Sequence, residues 1–283
     1  MTVREQTAAA VTPLSVKTST TDGPATSTPS PVPLPDRRQE TAERKSESES
    51  APNTAAQAIF STPKFRLKIQ DLDHPGAAKF LSSVNASTVL PTAVDNVVRL
   101  LYGSASDEHS TVPPTRSVTL ILRAMGGVAY TTGTALDNDH KEIHFSLNYI
   151  DSIRPDTRLV HEITGVLTHE LVHCFQWDAL GTCPGGLIEG VADWVRLNCD
   201  LSPLHWKRET DGDWDRGYQH TAYFLEYLEQ RFGEGTVRRL NEKLRGNKYQ
   251  AESFWPELLG KPVEQLYKDY VDKSKSDERD SRQ

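Results

Sequence analysis

Two histidines flank a glutamate in the segment His169-Glu170-Leu171-Val172-His173. In a helix, this i, i+4 spacing places both imidazoles on one face, close enough to bind a single ion. Zinc suits imidazole nitrogen, and a catalytic zinc site keeps one coordination position open for water. Glu170 would then act as general base on that water. The motif is short, however, and two helical histidines can also be ordinary surface or core residues.

A second set of acidic residues follows the turn Pro184-Gly185-Gly186, which allows two helices to pack side by side. Glu189 is then brought towards the histidines as a third ligand. Asp193, one helical turn later on the same face, can accept the free ring N–H of a histidine ligand. The two acids can also be a solvated helix face, but their neighbours are apolar and unpaired carboxylates are costly there. These residues predict a catalytic Zn²⁺ site with the ligands His169, His173 and Glu189.

The secondary-structure elements that must position these residues are mostly strands in the first half of the domain and helices in the second half. Alternating apolar residues predict strands at 65–69, 118–123, 127–132 and 142–150. Helical periodicity predicts helices at 76–101, with a break at Pro91, and at 159–178, 187–197, 217–232, 234–245 and 263–273. Strands followed by helices indicate an α+β fold, not an alternating one.

Composition divides the chain into a domain and two tails. Residues 1–60 are rich in Pro, Ser and Thr and poor in aromatic residues, so they bury too little apolar surface to order. We predict a disordered tail there. Residues 274–283 are highly charged and predict a second disordered end. The folded domain is therefore expected to span residues 61–273.

Charge and hydropathy exclude some classes of protein. The net charge of −7 and the isoelectric point of about 5.7 argue against a nucleic-acid-binding protein, which usually has a basic face. No apolar run approaches the length of a membrane span, so we expect no membrane insertion. We expect a monomer that acts on a peptide or protein substrate.

The stretch HELVHCFQWDALGTCPGGLIEGVADWVRL resembles the plant and fungal basic secretory proteins, a family of zinc metallopeptidases of the gluzincin type. GVAYTTG, EIHFSLNYI, TGVLTHE and WDRGYQHTAYFLEYLE extend the resemblance over residues 60–273. It implies a zincin-like domain, in which a small mixed sheet packs on the HExxH helix and a helical C-terminal half supplies Glu189. It also implies secretion. The N-terminus has no basic start followed by an apolar run, so the compartment stays open.

A peptidase also needs a donor that stabilises the oxyanion formed during attack on the amide. The candidates lie in the segment Trp214–His220. The resemblance assigns Tyr218 to a family position, where its phenol would donate to the oxyanion. His220 is the alternative donor, and Tyr218 can also be an ordinary core residue.

The strand predicted at 142–150 has two interpretations. By resemblance to the strand that precedes the motif helix in the family, it is an edge strand that pairs with an extended peptide substrate. By its own alternation, it is an inner strand whose Ile143, Phe145 and Leu147 face the core. The two interpretations are not exclusive.

The sequence thus predicts a zinc-dependent peptidase that uses Glu170 as general base. Two alternatives remain at this point. One is a non-catalytic zinc-containing module that binds a carbohydrate or protein in defence. The other is a zinc hydrolase of a non-peptide substrate, because an activated water does not determine which bond is broken. The presence of Glu170 favours catalysis, since a structural zinc site has no need of a general base.

Overall fold

A computed structural model describes residues 61–103 and 110–280, so the predicted tail 1–60 lies outside the described residues. The strands are β1 (Lys64–Ile69), β2 (Ser117–Arg123), β3 (Ala129–Gly133) and β4 (His140–Ser146). The helices of the N-terminal half are α1 (Pro75–Ser83), α2 (Ala86–Tyr102), α3 (Leu147–Ser152) and α4 (Leu159–Phe175). Those of the C-terminal half are α5 (Gly185–Leu197), α6 (Tyr218–Phe232), α7 (Thr236–Lys243), α8 (Ala251–Leu259) and α9 (Val263–Asp280).

The four strands form one mixed sheet in the order β1-β2-β4-β3. β1, β2 and β4 are parallel, and β3 runs antiparallel to β4 at the edge. The register places Leu120 beside Ile143 and Leu122 beside Phe145, and all four side chains are buried. Helices α2 and α4 contact each other, α2 also contacts β1, and α4 also contacts β3 and β4. The expected α+β architecture, with a small mixed sheet and a helical C-terminal half, is confirmed.

The prediction that residues 142–150 form an edge strand is wrong. The strand ends at Ser146, whose hydroxyl accepts a hydrogen bond from the Tyr149 amide and thereby caps α3. β4 lies between β2 and β3, so both of its edges are paired. The alternative interpretation, an inner strand with Ile143 and Phe145 in the core, is confirmed. Among the described residues, the two edge strands are β1 and β3.

The break in the first helical segment also differs from the prediction. The chain leaves α1 at Val84 and restarts at Asn85, whose side chain accepts a hydrogen bond from the Ser87 amide. This cap satisfies an N–H group that has no partner in the helix, so the helix begins there. Pro91 lies inside α2 and removes one backbone donor without ending the helix.

The C-terminal helix extends beyond residue 273, where the sequence predicted the end of the folded domain. α9 continues to Asp280 through the segment expected to be a charged tail. Ion pairs at i, i+4 spacing join Lys268 to Asp272 and Lys273 to Asp277. Such pairs support an exposed helix without burial, which explains why a highly charged segment remains helical. Among the described residues, no helix is both long and apolar enough to cross a membrane.

Gly190 allows α5 and α6 to approach closely. A Cβ atom at Gly190 would lie 2.5 Å from Thr221 Cβ, whereas a Cβ atom at Gly185, in the same helix, would meet nothing within 4 Å. We predict that Gly190→Ala lowers the free energy of unfolding by about 1–3 kcal/mol through overpacking, although alanine is the better helix former. Urea unfolding measures the change, and Gly185→Ala is the matched control. Equal or higher stability of Gly190→Ala would contradict the close contact.

Candidate metal centre

The three predicted ligands lie together between α4 and α5. The ring nitrogen Nε2 of His169 lies 3.1 Å from His173 Nε2 and 3.1 Å from Glu189 Oε2, and His173 Nε2 lies 3.7 Å from the same oxygen. Donor atoms at zinc distances on the corners of a tetrahedron would be about 3.3 Å apart. The donor types and spacings therefore fit one tetrahedral ion with a fourth position available.

The charges at this site favour a cation. Burial lowers the pKa of His169, but hydrogen bonds with Asp193 and Glu189 outweigh it and raise the pKa to about 9. Burial of the Glu189 carboxyl acts to raise its pKa, yet its hydrogen bonds with His169 and His173 hold the pKa well below its usual range. In the metal-free protein the positive charge of protonated His169 thus balances part of the negative charge of the carboxylates. A bound metal would displace that proton and take over its role.

Asp193 orients the first histidine. Its Oδ1 lies 2.7 Å from His169 Nδ1, and the residue is 3% exposed. A carboxylate at this position holds the proton on Nδ1, so the Nε2 lone pair faces Glu189 and is available to a metal. The proposed position of Asp193 behind His169 therefore agrees with the geometry.

Gln176 occupies the corresponding position behind His173. Its amide group lies 2.8 Å from His173 Nδ1, with Nε2 as the nearer atom, while Oε1 is buried without a partner among the described residues. Half a turn of the amide brings Oε1 to the ring instead. In that orientation Nδ1–H donates to Oε1 and the Nε2 lone pair of His173 is free for a metal. Both histidines thus have a neighbour able to select the metal-binding tautomer.

Glu170 is buried on α4 and is held by a residue that sequence reasoning missed. Thr131 Oγ1 lies 2.7 Å from Glu170 Oε2 and 3.0 Å from the Glu170 backbone oxygen. Thr131 belongs to the edge strand β3, so this contact joins the sheet to the motif helix. The threonine pair in GVAYTTG was visible in the sequence, but nothing local indicated which strand would lie beside α4.

Tyr218 lies beside the ligands, whereas His220 does not. The Tyr218 ring stacks near His169, with 6.2 Å between ring centroids, and its side chain is largely exposed. The charge of Glu189, followed by burial, raises the pKa of the phenol, which therefore remains a donor at neutral pH. His220 is buried, and its Nε2 lies 2.8 Å from the hydroxyl of Tyr267. Of the two candidate oxyanion donors, Tyr218 is therefore the one that lies beside the candidate ligands.

A close backbone contact places Tyr218. A Cβ atom at Gly186 would overlap the carbonyl oxygen of Asp215, so only glycine lets the segment before α6 lie against the start of α5. Tyr218, the first residue of α6, has a φ of 48°, in the left-handed region that residues other than glycine rarely adopt. Such backbone strain, when the surroundings maintain it, is typical of functional sites.

These residues open into a cavity of about 880 Å³. It contains the three candidate ligands, Glu170, Asp193 and Tyr218, and it extends along the edge strand and towards the segment after α5. Its further lining residues include Gly127, Val128, Ala129, Tyr130, Thr131, Tyr149, Val166, Arg196, Pro203, His205 and Trp206. A volume of this size accommodates a ligand that is much larger than a metal ion with its water.

If this centre binds Zn²⁺, Asp193→Asn should weaken binding about 10-fold to 100-fold, because the carboxylate no longer fixes the tautomer of His169. Competition with a chromogenic zinc chelator measures the affinity, and circular dichroism verifies that the fold is retained. Asp211→Asn is the control, since the Asp211 side chain is 80% exposed. An unchanged affinity in Asp193→Asn would contradict the orienting role.

Comparison with known proteins places the chain in a family. A family model described as "Peptidase of plants and bacteria" matches residues 62–270, which include every residue of the candidate centre. No curated protein and no solved structure matches the chain. The resemblance noted in the sequence had pointed to peptidases of plants and fungi. Because the match extends over more than half of its length, the chain belongs to the family of peptidases of plants and bacteria.

Proposed function

We propose that this protein is a zinc-dependent peptidase of the gluzincin type, related to the basic secretory proteins. The observation that carries the proposal is the meeting of His169, His173 and Glu189, whose ligand atoms all lie within 4.8 Å of one another. They lie beside the buried carboxylate Glu170 and inside a cavity large enough for a substrate. Membership of a peptidase family supports hydrolysis of a peptide bond.

Each residue of the site has a separate role in the proposed reaction. A Zn²⁺ ion held by the three ligands would polarise the scissile carbonyl and make water a better nucleophile. Glu170 takes a proton from the attacking water and delivers it to the leaving amine. Thr131 donates to Glu170 Oε2, which leaves the other carboxylate oxygen free to accept that proton. Tyr218 donates its phenol hydrogen to the oxyanion that develops on the carbonyl.

The edge strand β3 is a suitable surface for an extended peptide. Within the part of the chain that the structure describes, β3 is paired with β4 on one side only, and the cavity runs along residues 127–131. A peptide added at its open edge would form backbone hydrogen bonds and lie beside Glu170. Pairing with the substrate peptide, which the sequence had suggested for residues 142–150, is therefore proposed for β3.

The open cavity supports catalysis over the two alternatives. A non-catalytic zinc module would be favoured by an occluded site, but the candidate ligands line a cavity of about 880 Å³. A hydrolase of a non-peptide substrate would have no need of a free sheet edge beside its general base. The adjoining β3 edge therefore supports a peptide substrate.

Glu170→Gln tests the proposal directly. We predict that it lowers kcat by at least about 100-fold, because glutamine cannot accept the proton, while zinc content stays stoichiometric. Cleavage of a diverse peptide pool is followed by mass spectrometry, with zinc measured by atomic emission. Glu252→Gln, at an exposed position of α8, is the matched control. Undiminished turnover in Glu170→Gln, or in wild-type protein freed of zinc, would disprove the mechanism.

Thr131→Val removes the donor to Glu170 while keeping the shape of the side chain. We predict a fall in kcat of about 10-fold to 100-fold with unchanged KM and zinc content, because Glu170 is less well oriented. Thr131→Ser should restore most of kcat, since it keeps the hydroxyl. Thr132→Val, at the exposed neighbouring position, is the control. If kcat is unaffected, or if serine does not rescue it, Thr131 has no positioning role.

A further inference from the structure

We propose that one end of the cavity is a subsite for a large apolar side chain, aromatic or branched aliphatic, of the residue next to the scissile bond. The inference rests on the proposed peptidase function and names the substrate class that the site selects. The subsite is defined by Tyr149, Val166, Pro203 and Trp206, all of which line the cavity together with the candidate metal ligands.

The position of Val166 on α4 shows how far the subsite lies from His169 and Glu170. Val166 precedes His169 and Glu170 by three and four residues, so it shares their face of α4 and lies about 4.5 Å from His169 and about 6 Å from Glu170 along the helix axis. An extended peptide advances about 3.3 Å per residue. The side chain of a residue that flanks the scissile bond therefore reaches Val166, whereas more distant residues lie beyond it.

The walls of the subsite come from two other segments. Tyr149 belongs to α3, and Pro203 and Trp206 belong to the segment between α5 and α6. Tyr149 and Trp206 are each half-buried, so part of each ring faces the cavity. Tyr149, Trp206 and Val166 thus give the cavity aromatic and branched apolar surface, which is complementary to a flat or branched apolar group. Burial of such a group would contribute most of the selectivity.

Arg196 also lines the cavity, and its charge is engaged by the protein itself. One guanidinium nitrogen lies 3.0 Å from Glu162 Oε2, and Nε donates to the Leu201 carbonyl oxygen at 2.9 Å. The guanidinium carbon lies 5.4 Å from the centre of the Trp206 ring. Arg196 therefore positions Trp206 by a cation–π contact. Attraction of an acidic substrate side chain to Arg196 is the competing outcome that the test must separate.

The test uses peptides of one length and sequence in which the residue on either side of a single cleavable bond is Ala, Leu, Phe, Lys or Glu. We expect wild-type, zinc-loaded protein to prefer Phe or Leu over Ala on one side of the bond by at least about 10-fold in kcat/KM. The cleavage products show which side this is. Equal rates for Ala and Phe, or a preference for Glu, would overturn the subsite.

Trp206→Ala should reduce the Phe-to-Ala preference about 10-fold, while rates for the Ala peptide change much less. Leu204→Ala is the matched control, because Leu204 lies in the same segment, is 80% exposed and does not line this cavity. A preference that survives in Trp206→Ala would contradict the assignment of this wall. The wild-type comparison decides the proposal even if this variant does not fold.

A binding measurement separates failure of the subsite from failure of the proposed function. Calorimetric titration of zinc-loaded Glu170→Gln with the Phe and Ala peptides requires no turnover, and we expect about 10-fold tighter binding of the Phe peptide. If wild-type protein cleaves no peptide but this difference is found, the cavity binds a large apolar side chain and the peptidase proposal fails. If peptides are cleaved without any preference and bind equally, the peptidase proposal stands and the subsite fails.

Discussion

The pairing of α4 with α5 is the contact on which the candidate centre depends. Glu189 reaches both histidines and Asp193 reaches His169 from behind, so two acids of α5 meet two bases of α4. Further along, Arg196 crosses the small residue Gly165 to reach Glu162. Buried charges are costly unless paired, and here each helix supplies the partners of the other. The apolar surroundings and the polar contacts therefore specify the same helix register.

The sheet completes the site from the other side of α4. β4 pairs with β2 on one edge and with β3 on the other, so β3 lies at the outside of the sheet. Thr131 then connects this strand to Glu170, and the turn from β4 into α3 brings Tyr149 to the cavity. The contact between Thr131 and Glu170, the open edge of β3 and one wall of the cavity thus follow from the order of the strands.

The candidate ligands could be recognised in the sequence because their signals are local. An i, i+4 histidine pair and two acids in an apolar helix need only helical geometry to be recognised. The arrangement of the strands was not predictable in this way, because strand order depends on contacts between distant segments. For this reason the sequence left open whether residues 142–150 form an edge strand or an inner strand, and Thr131 was missed. Asn85 was overlooked as a helix start because proline is the more conspicuous breaker.

In the proposed peptidase, β3 would link the position of the substrate to Glu170, the proposed general base. β3 is held to β4 by the backbone ladder and to α4 by the hydroxyl of Thr131. A peptide bound at the free edge would take its register from the same backbone whose side chain orients Glu170. The scissile bond would therefore be placed relative to the carboxylate by a few short, directional contacts and not by the cavity walls alone. In the proposed arrangement the cavity walls would select a side chain of the substrate, whereas the strand would set the position of the scissile bond.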